Sequence, residues 1–248
     1  MLNKKKIYQI LLSSGIKKDD NILCHSDLSK FTNLNFPIKK LPKIIYESIL
    51  KIIGKNGTLA VPTFTYSFCK NETFNAKKFQ STCGSFSNYV KNLKSSLIYP
   101  DPNVSFAVIG KNKKYLTEYK TINSYGRGSF FDKFYNLNGK LLNINLDITS
   151  TYIHFFERKL KVSYRYDKTF CGYICINGKL QRKKSIIFVR KLKDKFKPDT
   201  RKLLLKSKKK TIHQNDLYFS TSFIDLKNYF EIIKNNIFKD KYFLVNGK

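Results

Sequence analysis

The stretch STYIHFFERKLKVSYRYDKTF, from Ser150 to Phe170, sets a histidine and a glutamate three residues apart in a chain with only 3 histidines and 17 acids. On a helix, residues three apart share a face, so His154 and Glu157 point the same way. A carboxylate beside an imidazole fixes its tautomer and stabilises the imidazolium formed when it takes a proton. His154 could then serve as a general base near neutrality. The same spacing also arises by chance on helices, so the pair alone leaves a structural reading open. A zinc site lacks support, because no third ligand falls at a motif spacing. His25 ends an apolar run and reads equally well as a core histidine. His213, in KKKTIHQND, reads as a surface residue.

The elements that must position these residues follow from periodicity. Residues 4–14 have helical spacing and end at Gly15. Ile22–Cys24 predicts a short strand and Pro42–Ile53 a helix with Gly54 as its stop. TLAVPTFTY predicts a strand halted by Pro62. Strand, helix and strand with short joints make a βαβ unit with parallel strands. Ligands of such sheets gather beyond the carboxyl ends of the strands, which here carry HSDLS (25–29) and PTFTY (62–66). Both are rich in hydroxyls that packing does not require.

Farther along, residues 67–85 are polar and irregular, and a mobile excursion is expected there. Helices are predicted at Phe86–Leu93, Phe130–Leu137, Thr149–Leu160, Thr200–Lys206 and Ile224–Ile233, with strands at Ser105–Ile109, after Asn138–Gly139, and at the terminal YFLV. Residues 162–191 predict antiparallel strands with a hairpin turn at Asn177–Gly178. The expected fold class is α/β: one domain over 1–248, with helices layered around a mixed, partly parallel sheet and an antiparallel hairpin region near 162–191.

Composition bounds the function. A chain of 248 residues can bury a sizeable core, and 42% of its residues are hydrophobic. Lys and Arg total 48, for a net charge of +31. Biased codon usage accounts for much of the lysine but not for the shortage of acids, and an anionic partner would account for both. Cys24, Cys69, Cys83, Cys171 and Cys175 show neither a metal spacing nor a disulfide framework, so reduced structural thiols and a cytoplasmic location are expected. No apolar run reaches the ~20 residues of a membrane span, and the N-terminal stretch lacks the pattern of a signal peptide.

Taken in order, HSDLSKF, VPTFTY, DPNVSFAVIGK, YGRGSFFDKF and TSTYIHFFE…VSYRYDKTF resemble the aminoglycoside 3-N-acetyltransferase family, the antibiotic N-acetyltransferase fold, from about Ile7 to the final YFLV. The resemblance implies acetyl-CoA as co-substrate, no metal, and transfer of an acetyl group to a sugar amine in a direct ternary mechanism, unrelated to the GNAT fold. It assigns His154 as the catalytic histidine with Glu157 and Thr151 in register, and Asp147 as an upstream acid. Ser26, Ser29, Thr63 and Thr65 match hydroxyls near the pantetheine and thioester. Gly128 and Ser129 match a Gly-Ser turn counted with the cofactor site, and Arg165 matches an arginine expected to face the acceptor, a role shared with Thr151.

The chemistry is coherent without the analogy. A sugar ammonium becomes a nucleophile only after losing a proton, and attack on a thioester makes an oxyanion that needs donors. The drug-modifying branch carries His-Pro-Thr-His-Ser where this chain has DPNVS (101–105), and a protein of +31 is a poor attractor for a polycation. The expected acceptor is therefore an amino sugar, free, nucleotide-linked or a surface-polysaccharide precursor, with an aminoglycoside antibiotic as the alternative. A reading of another class is a basic nucleic-acid-binding module. It rests on charge and interleaved aromatics, but the chain has none of the nucleic-acid signatures. The oligomeric state is left open.

Overall fold

The computed structural model describes residues 1–176, 178–191 and 196–246. The N-terminal half runs α1 (Lys4–Ser13), β1 (Asn21–Ser26), α2 (Leu41–Ile53), β2 (Thr58–Pro62), β3 (Phe74–Asn75), α3 (Gly84–Lys91), β4 (Leu97–Tyr99) and β5 (Phe106–Gly110). Next come α4 (Lys113–Thr117), α5 (Phe130–Asn136), β6 (Lys140–Ile144), α6 (Tyr152–Lys159), β7 (Arg165–Ile176) and β8 (Lys179–Arg190). The chain closes with β9 (Lys197–Pro198), α7 (Arg201–Ser207), β10 (Ile212–Asn215), β11 (Ser220–Asp225), α8 (Leu226–Ile237) and β12 (Val245–Asn246).

The main sheet has the order β10-β11-β6-β1-β2-β5-β4 among the described residues. Its centre is parallel: β1 pairs with β2 on one edge and with β6 on the other. The flanks are antiparallel, β5 and β4 beyond β2, and β11 and β10 beyond β6. The mixed sheet and the β1–α2–β2 unit agree with the sequence reading. Because β1 leads to β2 on one side and receives β6 on the other, the chain reverses its direction of travel at β1, and a crevice opens beyond such a switch point.

Side-chain alternation divides the core into two layers. Ile22, Cys24 and Leu142 face α1, α2 and α3, packing with Leu11, Ile45 and Ile49. Leu23, Leu141 and Ile224 face the other way, against Phe130, Tyr152, Phe156 and Tyr229 from α5, α6 and α8. Each such buried side chain contributes about 1.5–3 kcal/mol of transfer free energy. Gly110 ends β5 at φ +109°, and a Cβ there would stand 2.2 Å from the Gly57 carbonyl oxygen, so only glycine lets β5 pass the start of β2.

A second sheet, β3-β7-β8, is built on the predicted antiparallel pair, with Arg165 opposite Arg190 and Ile176 opposite Lys179. Gly178 takes φ +80° at the turn, while Asn177 lies outside the described residues. Three sequence expectations are corrected. Ile224 and Asp225 complete β11 instead of opening a helix, because the Asp225 carboxylate caps α8 by accepting from the Lys227 and Asn228 N–H groups. Tyr242–Leu244 form a turn, leaving only Val245 and Asn246 as strand. Residues 67–85 are anchored, with Phe68 and Phe74 fully buried against Ile174. Among the described residues, no helix is long and apolar enough to cross a membrane.

Candidate active site

Three of the predicted residues meet at the switch point. Ser26 ends β1, Ser29 follows in the turn capped by Asp27, and Thr151 precedes α6; all three line a cavity of about 520 Å³ with Pro62 at the end of β2. The volume falls in the range of small-molecule sites. Asp27 accepts hydrogen bonds from both the backbone N–H and the hydroxyl of Ser29. The Ser29 hydroxyl bond is the main cause of holding the Asp27 carboxyl below its usual range.

His154 lies one helical turn beyond Thr151. Its Nδ1 stands 2.8 Å from Glu157 Oε2, which fixes that nitrogen as the N–H donor to a carboxylate and leaves Nε2 with the lone pair. The His154 side chain is one-third exposed, whereas that of Glu157 is 2% exposed. Burial raises the Glu157 pKa, but the His154 hydrogen bond and the charges of His154 and Arg165 outweigh it and hold the carboxyl below its ordinary value. Tyr125 packs its ring edge-on against the imidazole at 5.8 Å, closing one side of the pair.

The other sequence assignments land elsewhere. Arg165 is buried, with Nε 2.7 Å from Glu157 Oε2 in an ion-pair contact that is not aligned as a hydrogen bond. It stands behind the carboxylate, and its Nη1 donates to the Phe188 carbonyl. Asp147 is exposed on the loop after β6 and lines a separate polar cavity of about 300 Å³ with Lys30 and His213, apart from His154. The Thr63 hydroxyl bonds to Ser105, and that of Thr65 bonds to the Pro102 carbonyl and accepts from Ser67. Both threonines are buried, and their hydroxyls hold the 101–105 loop against the end of β2. Gly128 at φ +77° donates its N–H to Asp132, and the Ser129 hydroxyl accepts from the Asp132 N–H, so the Gly-Ser turn caps α5.

Residues outside the sequence assignment complete the surroundings. Asp101 is fully buried, accepting from the Asn103 and Val104 N–H groups and from the Ser124 hydroxyl. Burial raises its pKa, and these bonds oppose the rise. Asn103 in turn donates to Ser185 on β8, tying the DPNVS loop to the second sheet. His25 lines the strand-end cavity, yet both its ring nitrogens are buried without a hydrogen-bond partner. Burial pushes its imidazole down to about 4. Beside it in register is Asn143, whose Oδ1 is also unpartnered. The five cysteines are free thiols, and among the described residues no three His, Cys, Asp or Glu side chains gather as a metal site.

The chain is an open α/β sheet with a cavity at its switch point and a helix-borne His–Glu pair one turn beyond the cavity-lining Thr151. It belongs to the aminoglycoside 3-N-acetyltransferase family, which it matches over residues 23–222, and it is therefore an acyltransferase. Solved structures agree on the fold. Aminoglycoside acetyltransferase AAC(3)-Xa superposes with a TM-score of 0.81 at 15% identity, over 95% of this chain and 92% of that one. AAC-IIIb, solved as a binary complex with CoASH, gives 0.79 at 15% identity over 96% and 97%. AAC-VIa bound to sisomicin gives 0.78 at 14% identity over 95% and 98%. No curated protein matches the chain in sequence.

Proposed function

We propose that the protein, one domain over 1–248, transfers an acetyl group from acetyl-CoA to an amine of an aminoglycoside, with His154 as general base and Glu157 as its orienting partner. The observation that carries the mechanism is the 2.8 Å contact between His154 Nδ1 and Glu157 Oε2, which leaves Nε2 free to take a proton. His154 removes the proton from the sugar ammonium. The amine nitrogen bonds to the thioester carbonyl carbon and sheds its second proton to solvent, the C–S bond breaks, and the imidazolium gives its proton to the departing thiolate. Ser26 and Thr151 at the strand-end cavity are the groups that would hold the thioester end of the donor, and their hydroxyls suit a developing oxyanion, whereas the Ser29 hydroxyl already donates to Asp27.

Net charge and the DPNVS segment favour an amino sugar of surface-polysaccharide type over an antibiotic. The family match and the sisomicin complex of a structural neighbour name aminoglycosides, so that order is reversed here. Membership in an acetyltransferase family also displaces the reading as a nucleic-acid-binding module. The test is acetyl-CoA titration by calorimetry, followed by mass spectrometry of acceptor mixtures. Saturable binding with an added acetyl group on sisomicin-type drugs supports the proposal. Acetylation confined to simple or nucleotide-linked amino sugars would overturn the acceptor, and absence of acetyl-CoA binding would overturn the mechanism.

A further inference from the structure

The polar cavity of about 300 Å³ beside the loop after β6 holds acceptor groups that the mechanism leaves unused. Asp147 lines it, exposed, and its carboxylate has no ion pair or hydrogen bond among the described residues. Asp27, Glu47 and Asp132, which line other cavities, are occupied by Ser29 and Lys30, by Lys43, and by the Gly128 N–H. Thr221, 2% exposed, lines the cavity of Asp147 from β11 with a buried hydroxyl that has no hydrogen-bond partner. Behind the loop, the fully buried Asn143 donates to the Asp147 carbonyl at 2.6 Å and to Ser222 at 3.3 Å, and its Oδ1 has no partner. A buried oxygen without a partner costs free energy that a donor on a ligand would recover. Free acceptors gather here, and they suit a ligand rich in N–H and O–H groups.

We propose, resting on the aminoglycoside reading of the acceptor, that this cavity is a specificity site for a second amine. An ammonium on a ring other than the one acetylated meets the Asp147 carboxylate, with Thr221 as a further partner. Position supports this. Leu146 lines both this cavity and the strand-end cavity, and Thr149 and Thr151, two residues apart, line one each. Two residues of chain span at most roughly 7 Å, the scale of one sugar ring. A ring held at Asp147 therefore leaves its neighbour beside the thioester end. Charge supports it too. Of the basic side chains at the rim, Lys30 is already engaged, 3.3 Å from Asp27 Oδ2 and 3.1 Å from the Asn145 carbonyl oxygen, and His213 is the other. The field of more distant lysines is screened beyond about 8 Å in physiological salt, whereas a carboxylate in contact with an ammonium is not. An unpaired carboxylate in the crevice gives a chain of net charge +31 a local hold on a polycation.

The experiment titrates the full chain, loaded with CoASH so that no acetyl group moves, with sisomicin and with glucosamine, which carries a single amine. Calorimetry should show sisomicin binding tighter than glucosamine. Asp147→Asn should weaken sisomicin tenfold or more, as the loss of a charge-assisted contact implies, and leave glucosamine within twofold. Asp19→Asn is the control, because Asp19 is exposed and unpaired just before β1, at the end of that strand away from the crevice. It should leave sisomicin within twofold. Thr221→Val should weaken sisomicin without lowering Tm, since the hydroxyl it removes has no partner in the free protein; a threonine with only a structural role would lower Tm and spare sisomicin. No weakening by Asp147→Asn, equal weakening by Asp19→Asn, or a parallel loss of acetyl-CoA affinity in Asp147→Asn overturns the site, while sisomicin binding to the wild type would still uphold the acceptor reading. A wild type that binds no sisomicin overturns both.

Discussion

One oxygen of Glu157 serves two partners: Oε2 lies 2.8 Å from His154 Nδ1 and 2.7 Å from Arg165 Nε. The imidazole is thus oriented by a carboxylate that is itself held from behind, by a guanidinium at the start of β7. Tyr164, buried next to Arg165, is close enough for its phenol to be pushed up, first by burial and then by the Glu157 charge. The imidazole is anchored through Nδ1 while its side chain stays one-third exposed, as a base that must meet an acceptor requires.

His154→Ala should lower kcat by about 10²–10⁴-fold, the usual worth of a positioned base, while leaving acetyl-CoA affinity within twofold. Steady-state kinetics beside calorimetry separate the two. Equal turnover in the variant would remove His154 from the mechanism.

Arg165→Leu leaves a buried carboxylate with one partner and should cost about 3 kcal/mol, as broken buried pairs do. In the wild type the Glu157 pKa is depressed, so its stabilising share is complete above the unfolded carboxylate range and is lost as pH falls through the folded value. The variant should keep part of that acid-side dependence, because the His154 hydrogen bond, its leading cause, remains. A double-mutant cycle with Glu157→Gln should be strongly non-additive in urea unfolding; simple additivity would mean that the 2.7 Å contact carries no coupling.

Asp101→Ala would strip the acceptor from two backbone N–H groups and the Ser124 hydroxyl in a fully buried loop. A loss of roughly 2–4 kcal/mol is expected, with Asp101→Asn milder because one carbonyl oxygen remains. Urea midpoints for the two variants should fall in that order.

His25 supplies a pH test. Its folded pKa of about 4 lies below the unperturbed 6.5, so the unfolded chain binds the extra proton between those values. Stability should therefore fall by roughly 2–3 kcal/mol as pH drops from 6.5 to 4. His25→Asn should flatten that part of the curve of Tm against pH. An unchanged slope would show that His25 titrates normally in the folded protein.

The central unit was legible because its signals are local. The apolar run of β1, the stripe and glycine stop of α2, and Pro62 each act over a few residues. The antiparallel flank β10–β11 escaped because its edge strand, Ile212–Asn215, is mostly polar and exposed, so it lacks the alternation that marks a half-buried strand. The His154–Glu157 contact could be read from i, i+3 spacing, but Arg165 behind it could not. Its contact crosses a turn between α6 and β7, where spacing fixes no direction. The Thr63 and Thr65 hydroxyls suited a site by residue type, yet no local rule told that the 101–105 loop would claim them.

The register of β1 against β6 bears on how the chain is made. Ile22 pairs with Lys140, roughly 120 residues downstream. At the usual pace of synthesis that partner emerges on the order of ten seconds after β1 leaves the ribosome. Throughout that interval the middle strand has one neighbour at most, with an edge of unpaired N–H and C=O groups open to solvent. Folding of the nascent chain is thus gated by translation through β6, and truncated products ending before Lys140 should be held by chaperones as unfinished sheets.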